Sequence, residues 1–281
     1  MRSTGKVDLI MDNEARGIVA YDGEAGPVQT YLARPSAEEP RPAVIVIHEI
    51  VGLTEHIKRV ADRFAEKGYV AFAPNLFSRP GLAEVLTPSN VGAVMQFTST
   101  LGWARMSDPA AVQQAMSQLP QERRETLQRV LPVLFGGIPK ESLTQDLVKA
   151  VDYLNAQDFV QSGKIVSVGF CFGGGMSINL ACHAKLAASA IFYGENPHPI
   201  ELVKYLSCPV LGNYGAEDLR INAHLDELVK AMVTYKKDFE MRIYPNAGHA
   251  FFNETFPMYN EAAAKDAWGS VLRFYTRALA A

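Results

Sequence analysis

Short apolar runs alternate with amphipathic stretches along most of the chain. Ala43-Val44-Ile45-Val46-Ile47 is continuously apolar, the pattern of a strand buried on both faces. Similar runs at Val70–Ala73, Lys164–Val168, Ala188–Tyr193 and Cys208–Tyr214, with a later segment at Phe239–Tyr244, predict further strands. Between them the period changes to that of a helix. Ile57, Val60, Ala61 and Phe64 recur on one face, with Thr54 placed to cap the start and Gly68 at the end. Leu147, Ala150, Val151 and Leu154 mark another helix, and Met176 to Ala184 a third. Leu225, Leu228, Val229 and Met232, then Trp268, Val271, Leu272 and Tyr275, mark two more. Strand and helix in alternation predict an α/β class fold, a doubly wound and mostly parallel sheet in one domain.

One stretch breaks the rhythm. Between a strand near Ala73 and the helix around Leu147, residues 81–140 form an insertion far longer than the ~2–6 residues usual for such a connection. Ala110–Leu119 and Gln121–Leu131 read as helices, and Pro132 is expected to end or kink the second. The insertion leaves the carboxyl end of a strand. A helical cap over a site at that end is the expected role, with a peripheral or dimerisation surface as the alternative. As a cap it would bring Trp103, Met106, Phe97 and Phe135 to an apolar pocket.

Candidate chemistry lies at three strand ends. Gly169-Phe170-Cys171-Phe172-Gly173-Gly174 follows an apolar run and precedes a helix. Gly-x-nucleophile-x-Gly at a strand–turn–helix corner is the nucleophile elbow of α/β-hydrolases, here carrying a thiol. Glycine is needed at 169 and 173 because side chains there would collide across the turn. Downstream come a carboxylate pair, Glu217-Asp218, and then His249, each just past a predicted strand. Nucleophile, acid and histidine in that order are a hydrolase sequence, and reactive groups of an open α/β sheet gather at the carboxyl ends of its strands.

Four segments together resemble the dienelactone hydrolase (carboxymethylenebutenolidase) family, from about Val28 to the C-terminus: His48-Glu49-Ile50-Val51-Gly52-Leu53, the elbow, Tyr214-Gly215-Ala216-Glu217-Asp218, and Ala247-Gly248-His249-Ala250-Phe251. The resemblance implies a Cys171–Asp218–His249 triad, with Asp218 rather than Glu217 as the acid. It implies that Glu49 assists ionisation of the thiol, and that the backbone N–H groups of Ile50 and Phe172 hold the oxyanion. It also implies substrate-binding arginines. Arg79 resembles the first, but the position of the second, four residues after the histidine, is Asn253. A weak preference for carboxylate-bearing substrates is expected from that departure. The activity implied is hydrolysis of lactones or small carboxylic esters, with no cofactor.

Composition narrows the rest. At 281 residues and 48% hydrophobic, the chain can bury a full core as one large domain. A net charge of −3 without a basic run argues against nucleic acid or an anionic membrane as partner, and no window has the length of a membrane span. The partner expected is a small-molecule ester or lactone, acted on by a monomer or homodimer. Cys171, Cys182 and Cys208 are too few for a secreted disulfide framework and suit a reducing cytoplasm. Cys182 and Cys208 read as core residues and His48 as structural. His56, His183, His198 and His224 lack ligand spacing, so no metal is expected. Hydrolysis of other activated esters or organophosphates, a redox-active thiol, and a non-catalytic binding protein stand as alternatives.

Overall fold

A computed structural model describes residues 16–36, 39–102, 105, 106 and 108–280. Its centre is an eight-stranded sheet in the order β1-β2-β4-β3-β5-β6-β7-β8. The strands are β1 (Arg16–Asp22), β2 (Pro27–Ala33), β3 (Arg41–Ile47), β4 (Val70–Pro74), β5 (Val160–Phe170), β6 (Ala188–Phe192), β7 (Val210–Gly215) and β8 (Phe239–Tyr244). β2 runs antiparallel to both neighbours, and all other pairs are parallel. This is the α/β-hydrolase fold expected from the alternating pattern.

Each central strand feeds two cores. On β3, Ala43, Ile45 and Ile47 enter one apolar cluster while Val44 and Val46 enter the other, as the two-residue strand period requires. The first cluster is closed by α5 (Lys140–Asn155), α6 (Phe172–His183) and α8 (Leu225–Thr234). The second is closed by α1 (Glu55–Glu66) and α9 (Glu261–Ala280). Beneath the elbow, Ser167 on β5, Ser177 on α6 and Ser189 on β6 form a buried triangle of hydroxyls with sides of 2.8, 3.0 and 3.1 Å.

Several local expectations change. β1 and β2 form an antiparallel hairpin that the apolar-run criterion passes over, because each strand alternates buried and exposed positions. Thr54 sits at the N-cap position of α1, yet its hydroxyl is buried and makes no capping bond. The insertion holds three helices, α2 (Pro88–Leu101), α3 (Pro109–Ser117) and α4 (Gln121–Gly136). α2 is announced by Thr87, whose hydroxyl accepts from the Asn90 N–H, followed by Pro88 in the first turn. α4 continues through Pro132 instead of ending there. Pro132 is exposed, so water can reach the Gln128 carbonyl that the missing N–H leaves open. Val94, Phe97, Leu127, Val130 and Leu134 join these helices to the α5/α6 core. The short α7 (Leu219–Asn222) follows β7.

Candidate active site

Cys171 stands at the turn between β5 and α6 with φ at +54°, a conformation disfavoured for any residue with a Cβ. The corner leaves no room on either flank. A Cβ at Gly169 would lie 1.8 Å from the Gly173 carbonyl oxygen, and one at Gly173 would lie 2.2 Å from that of Ile47. The Cys171 N–H is fixed to the Phe192 carbonyl at the end of β6. The strain therefore points the partly exposed thiol outward from the carboxyl edge of the sheet.

Three strand ends meet at that thiol. His249 Nε2 lies 3.1 Å from Cys171 Sγ, and His249 Nδ1 lies 2.6 Å from Asp218 Oδ2. Asp218 is buried and also caps α7, accepting from the Ile221 N–H, whereas Glu217 is exposed. Burial pushes the His249 imidazole down. Hydrogen bonds to Asp218 and Cys171, with their charges, outweigh it and raise the ring to about 10. The ring therefore holds its proton at neutral pH, between a carboxylate and a sulfur.

Glu49 is almost fully buried. Its Oε2 accepts from Asn253 Nδ2 at 2.5 Å while Oε1 has no partner among the described residues. Burial raises the carboxyl to about 7, against the lowering effect of the Asn253 bond and the His249 charge. Asn253 is itself held, its Oδ1 accepting from the N–H and hydroxyl of Thr255. Asn253 therefore orients Glu49, and its amide is not turned to solvent.

Two backbone donors stand open among the described residues, one at the start of α6 and one in the loop after β3. The first N–H groups of a helix lack intrahelical acceptors. Gly174 and Gly175 find the Cys171 carbonyl, but Phe172 N–H has no acceptor among the described residues, and neither has Ile50 N–H. His48 fixes the Ile50 loop: its Nδ1 donates to the Glu49 carbonyl at 2.6 Å, and its Nε2 accepts from the Leu76 N–H. Burial lowers His48 to about 4, so it stays neutral and structural.

Arg79 is placed differently from expectation. It is buried, with Nη1 bonded to Asp146 Oδ2 at 2.8 Å and to Ser142 Oγ at 3.0 Å on α5. Asp146 Oδ1 also accepts from the Glu24 N–H in the β1–β2 turn. Arg79 thus ties the loop after β4 to α5, while Asp146 ties α5 to the hairpin, and the arginine's charge is already neutralised. Of the insertion residues, Phe97 is buried in the α5/α6 core and Met106 packs against it, together with Ile50 and Phe172. Phe135 is 47% exposed on α4, and Trp103 lies outside the described residues. Cys182 and Cys208 are buried free thiols, both raised to about 12 by burial. No metal-ligand cluster is found among the described residues.

Sequence reasoning missed Tyr193. It follows β6 directly, at φ +41°, fully buried, with its ring 5.1 Å from that of His249. Burial and the negative charges of Glu49 and Cys171 push its phenol well above the ordinary range. The strand-end rule that located Cys171, Asp218 and His249 applies to β6 as well.

The family model described as the dienelactone hydrolase family matches residues 28–279. A relative from Saccharolobus solfataricus, provisionally named a carboxymethylenebutenolidase, is 40% identical over 92% of this chain and 97% of its own. One from Salmonella typhimurium with the same provisional name is 28% identical over 93% and 87%. Among solved structures, a provisionally named dienelactone hydrolase from Klebsiella pneumoniae superposes with a TM-score of 0.72 at 24% identity, covering 93% of this chain and 98% of its own. A dienelactone hydrolase-like promiscuous phosphotriesterase from metagenomic libraries gives 0.68 at 22%, covering 93% and 97%. With the family model spanning nearly the whole described chain and a relative at 40% identity, the protein belongs to the dienelactone hydrolase family, and with it to the lactone and ester hydrolases of this fold.

Proposed function

We propose that Cys171 is the nucleophile and that lactones or small carboxylic esters are cleaved through a thioester acyl-enzyme. The observation carrying this reading is the 3.1 Å approach of Cys171 Sγ to a His249 ring that Asp218 grips from the other side. A thiol facing an imidazole poised to stay protonated favours a thiolate–imidazolium pair. The sulfur attacks the carbonyl carbon, and the Phe172 and Ile50 N–H groups receive the oxyanion. A donor of this kind is worth ~3–4 kcal/mol in the transition state. His249 gives its Nε2 proton to the leaving alkoxide and then takes one from the water that attacks the thioester. Collapse of the second adduct releases the acid and restores the thiolate. Asp218 keeps the other proton on Nδ1 throughout. Glu49, titrating near neutrality beside His249, serves as a second acceptor for the thiol proton.

Substrates need not carry a carboxylate in this reading. Arg79 is engaged by Asp146, and Asn253 by Glu49, which leaves neither as a free anion ligand. The helical insertion forms the apolar wall of the acyl pocket, supported by the shared packing of Phe97, Met106, Ile50 and Phe172. The free thiols of the chain fit a reducing compartment such as the cytoplasm. The test is turnover of a chromogenic acyl ester by the wild type beside Cys171→Ala, with intact-mass spectrometry of an acid-quenched reaction. An acyl adduct mapped to Cys171, absent from an inactive alanine variant, is the expected result. Near wild-type turnover by Cys171→Ala overturns the proposal.

A further inference from the structure

β8 ends the sheet, and among the described residues it pairs only with β7. Its pairing phase is fixed by Val210 N–H bonding to the Asp238 carbonyl and Ala216 N–H bonding to that of Tyr244. Even-numbered residues therefore turn their backbone groups to β7. Phe239, Met241 and Ile243 turn theirs to the open edge, three N–H and three C=O groups in a row. Edges of this kind are usually blunted by lysine, proline or a bulge. The segment Phe239-Glu240-Met241-Arg242-Ile243-Tyr244 has no lysine or proline, and its pairing with β7 runs without a register shift. Met241 is 39% and Ile243 50% exposed, and both line an open apolar groove of about 600 Å³ with Leu225 and Val229 of α8. Val233 on the same helix is 72% exposed.

We propose that this edge joins a second copy of the chain, β8 to β8 antiparallel, making one continuous sheet about a two-fold axis. The strand's own sequence selects the register. Directly opposed residues of an antiparallel pair lie on the same face, so a two-fold axis normal to the sheet must pass through a single residue and its symmetry mate. Centring on Arg242 opposes two arginines, and centring on Glu240 opposes two glutamates. Centring on Met241 opposes Glu240 to the partner's Arg242, Phe239 to the partner's Ile243, and Met241 to its own copy. In that register all six outward backbone groups find partners, and the charged pairs fall at the closely spaced positions. Within each chain Glu240 already bonds Arg277, and Arg242 bonds Asp266 at 2.7 Å, both on α9. Association would link these into a line of alternating sign crossing the interface twice. A strand alone is smaller than a stable interface, so the exposed flank of α8 belongs to it.

Sedimentation velocity of the full chain, across micromolar concentrations, should give a species of twice the 30.8 kDa chain mass. Glu240→Arg and Arg242→Glu alone each put like charges opposite one another and should weaken the dimer roughly ten- to a hundredfold. Mixing these two single variants should restore a heterodimer, and combining both changes in one chain should restore the homodimer. Circular dichroism of each variant separates lost association from lost fold, and recovery on mixing requires folded chains in any case. A wild type that stays monomeric overturns the proposal, and so does a dimer indifferent to both single changes or single variants that fail to recover when mixed. Because ester turnover is read separately, failure here leaves the proposed chemistry standing, and the reverse also holds.

Discussion

Glu49→Gln removes a charge that the folded chain holds at a cost. Burial raises the carboxyl from an ordinary 4.5 to about 7. Between those pH values the folded chain keeps a proton that the unfolded chain has released. Stability therefore falls as pH climbs through this window, and the loss is complete above about 7. A rise of about 2.5 pH units at 1.36 kcal/mol each corresponds to ~3 kcal/mol. Glutamine keeps an oxygen for Asn253 Nδ2 and does not titrate. The unfolding free energy of the variant relative to wild type should be level below pH 4.5 and should gain ~3 kcal/mol by pH 8. Urea unfolding at closely spaced pH values measures it. His249 titrates in both chains and largely cancels in the difference. A difference that stays flat from pH 4 to 8 would refute the assignment of a buried, neutral-pH carboxyl to Glu49, whatever its role in turnover.

Four further outcomes follow from the positions of named residues. Asp218→Asn should lower kcat by ~10³–10⁴-fold by releasing the His249 tautomer, and His249→Ala should be at least as severe. The exposed Glu217→Gln should leave kcat within about twofold in the same ester assay, since ordinary surface changes disturb little. Arg79→Leu leaves Asp146 buried without its cation and should destabilise by ~3–5 kcal/mol, read by urea midpoint, while the kcat/KM ratio between acidic and neutral esters stays unchanged. Gly173→Ala sets a Cβ against the Ile47 carbonyl and should abolish soluble expression or elbow function, visible in the folded yield and in iodoacetamide labelling of Cys171.

What the sequence disclosed follows from which signals are local. Strands β3 to β7 were legible because burial on both faces writes them as apolar runs, whereas β1 and β2 show one face to solvent and carry no such run. The grouping of Cys171, Asp218 and His249 was legible because an elbow needs glycines at fixed offsets and because strand ends collect reactive groups. Arg79 was misplaced for the opposite reason. Its partner Asp146 lies 67 residues away, and no local pattern marks the pair. The Glu49–Asn253 bond spans 204 residues, so an asparagine that reads as a lost arginine turns out to hold a carboxylate. Tyr193 carries no motif and shows itself only when its ring is found beside His249.

The three serines beneath the elbow bear on how this chain can change over time. Each hydroxyl lies within hydrogen-bond reach of the other two, and Ser189 Oγ also reaches the Ser177 carbonyl at 3.3 Å, so each member serves its neighbours. Removing one takes a hydrogen-bond partner from each of the other two in a buried setting, at ~1–3 kcal/mol for a group left unsatisfied, while replacing all three with small apolar residues strands none. The path between those two viable sequences runs through less stable intermediates. The floor of the elbow is therefore inherited whole, and point substitution alone meets a barrier there that neither endpoint would reveal.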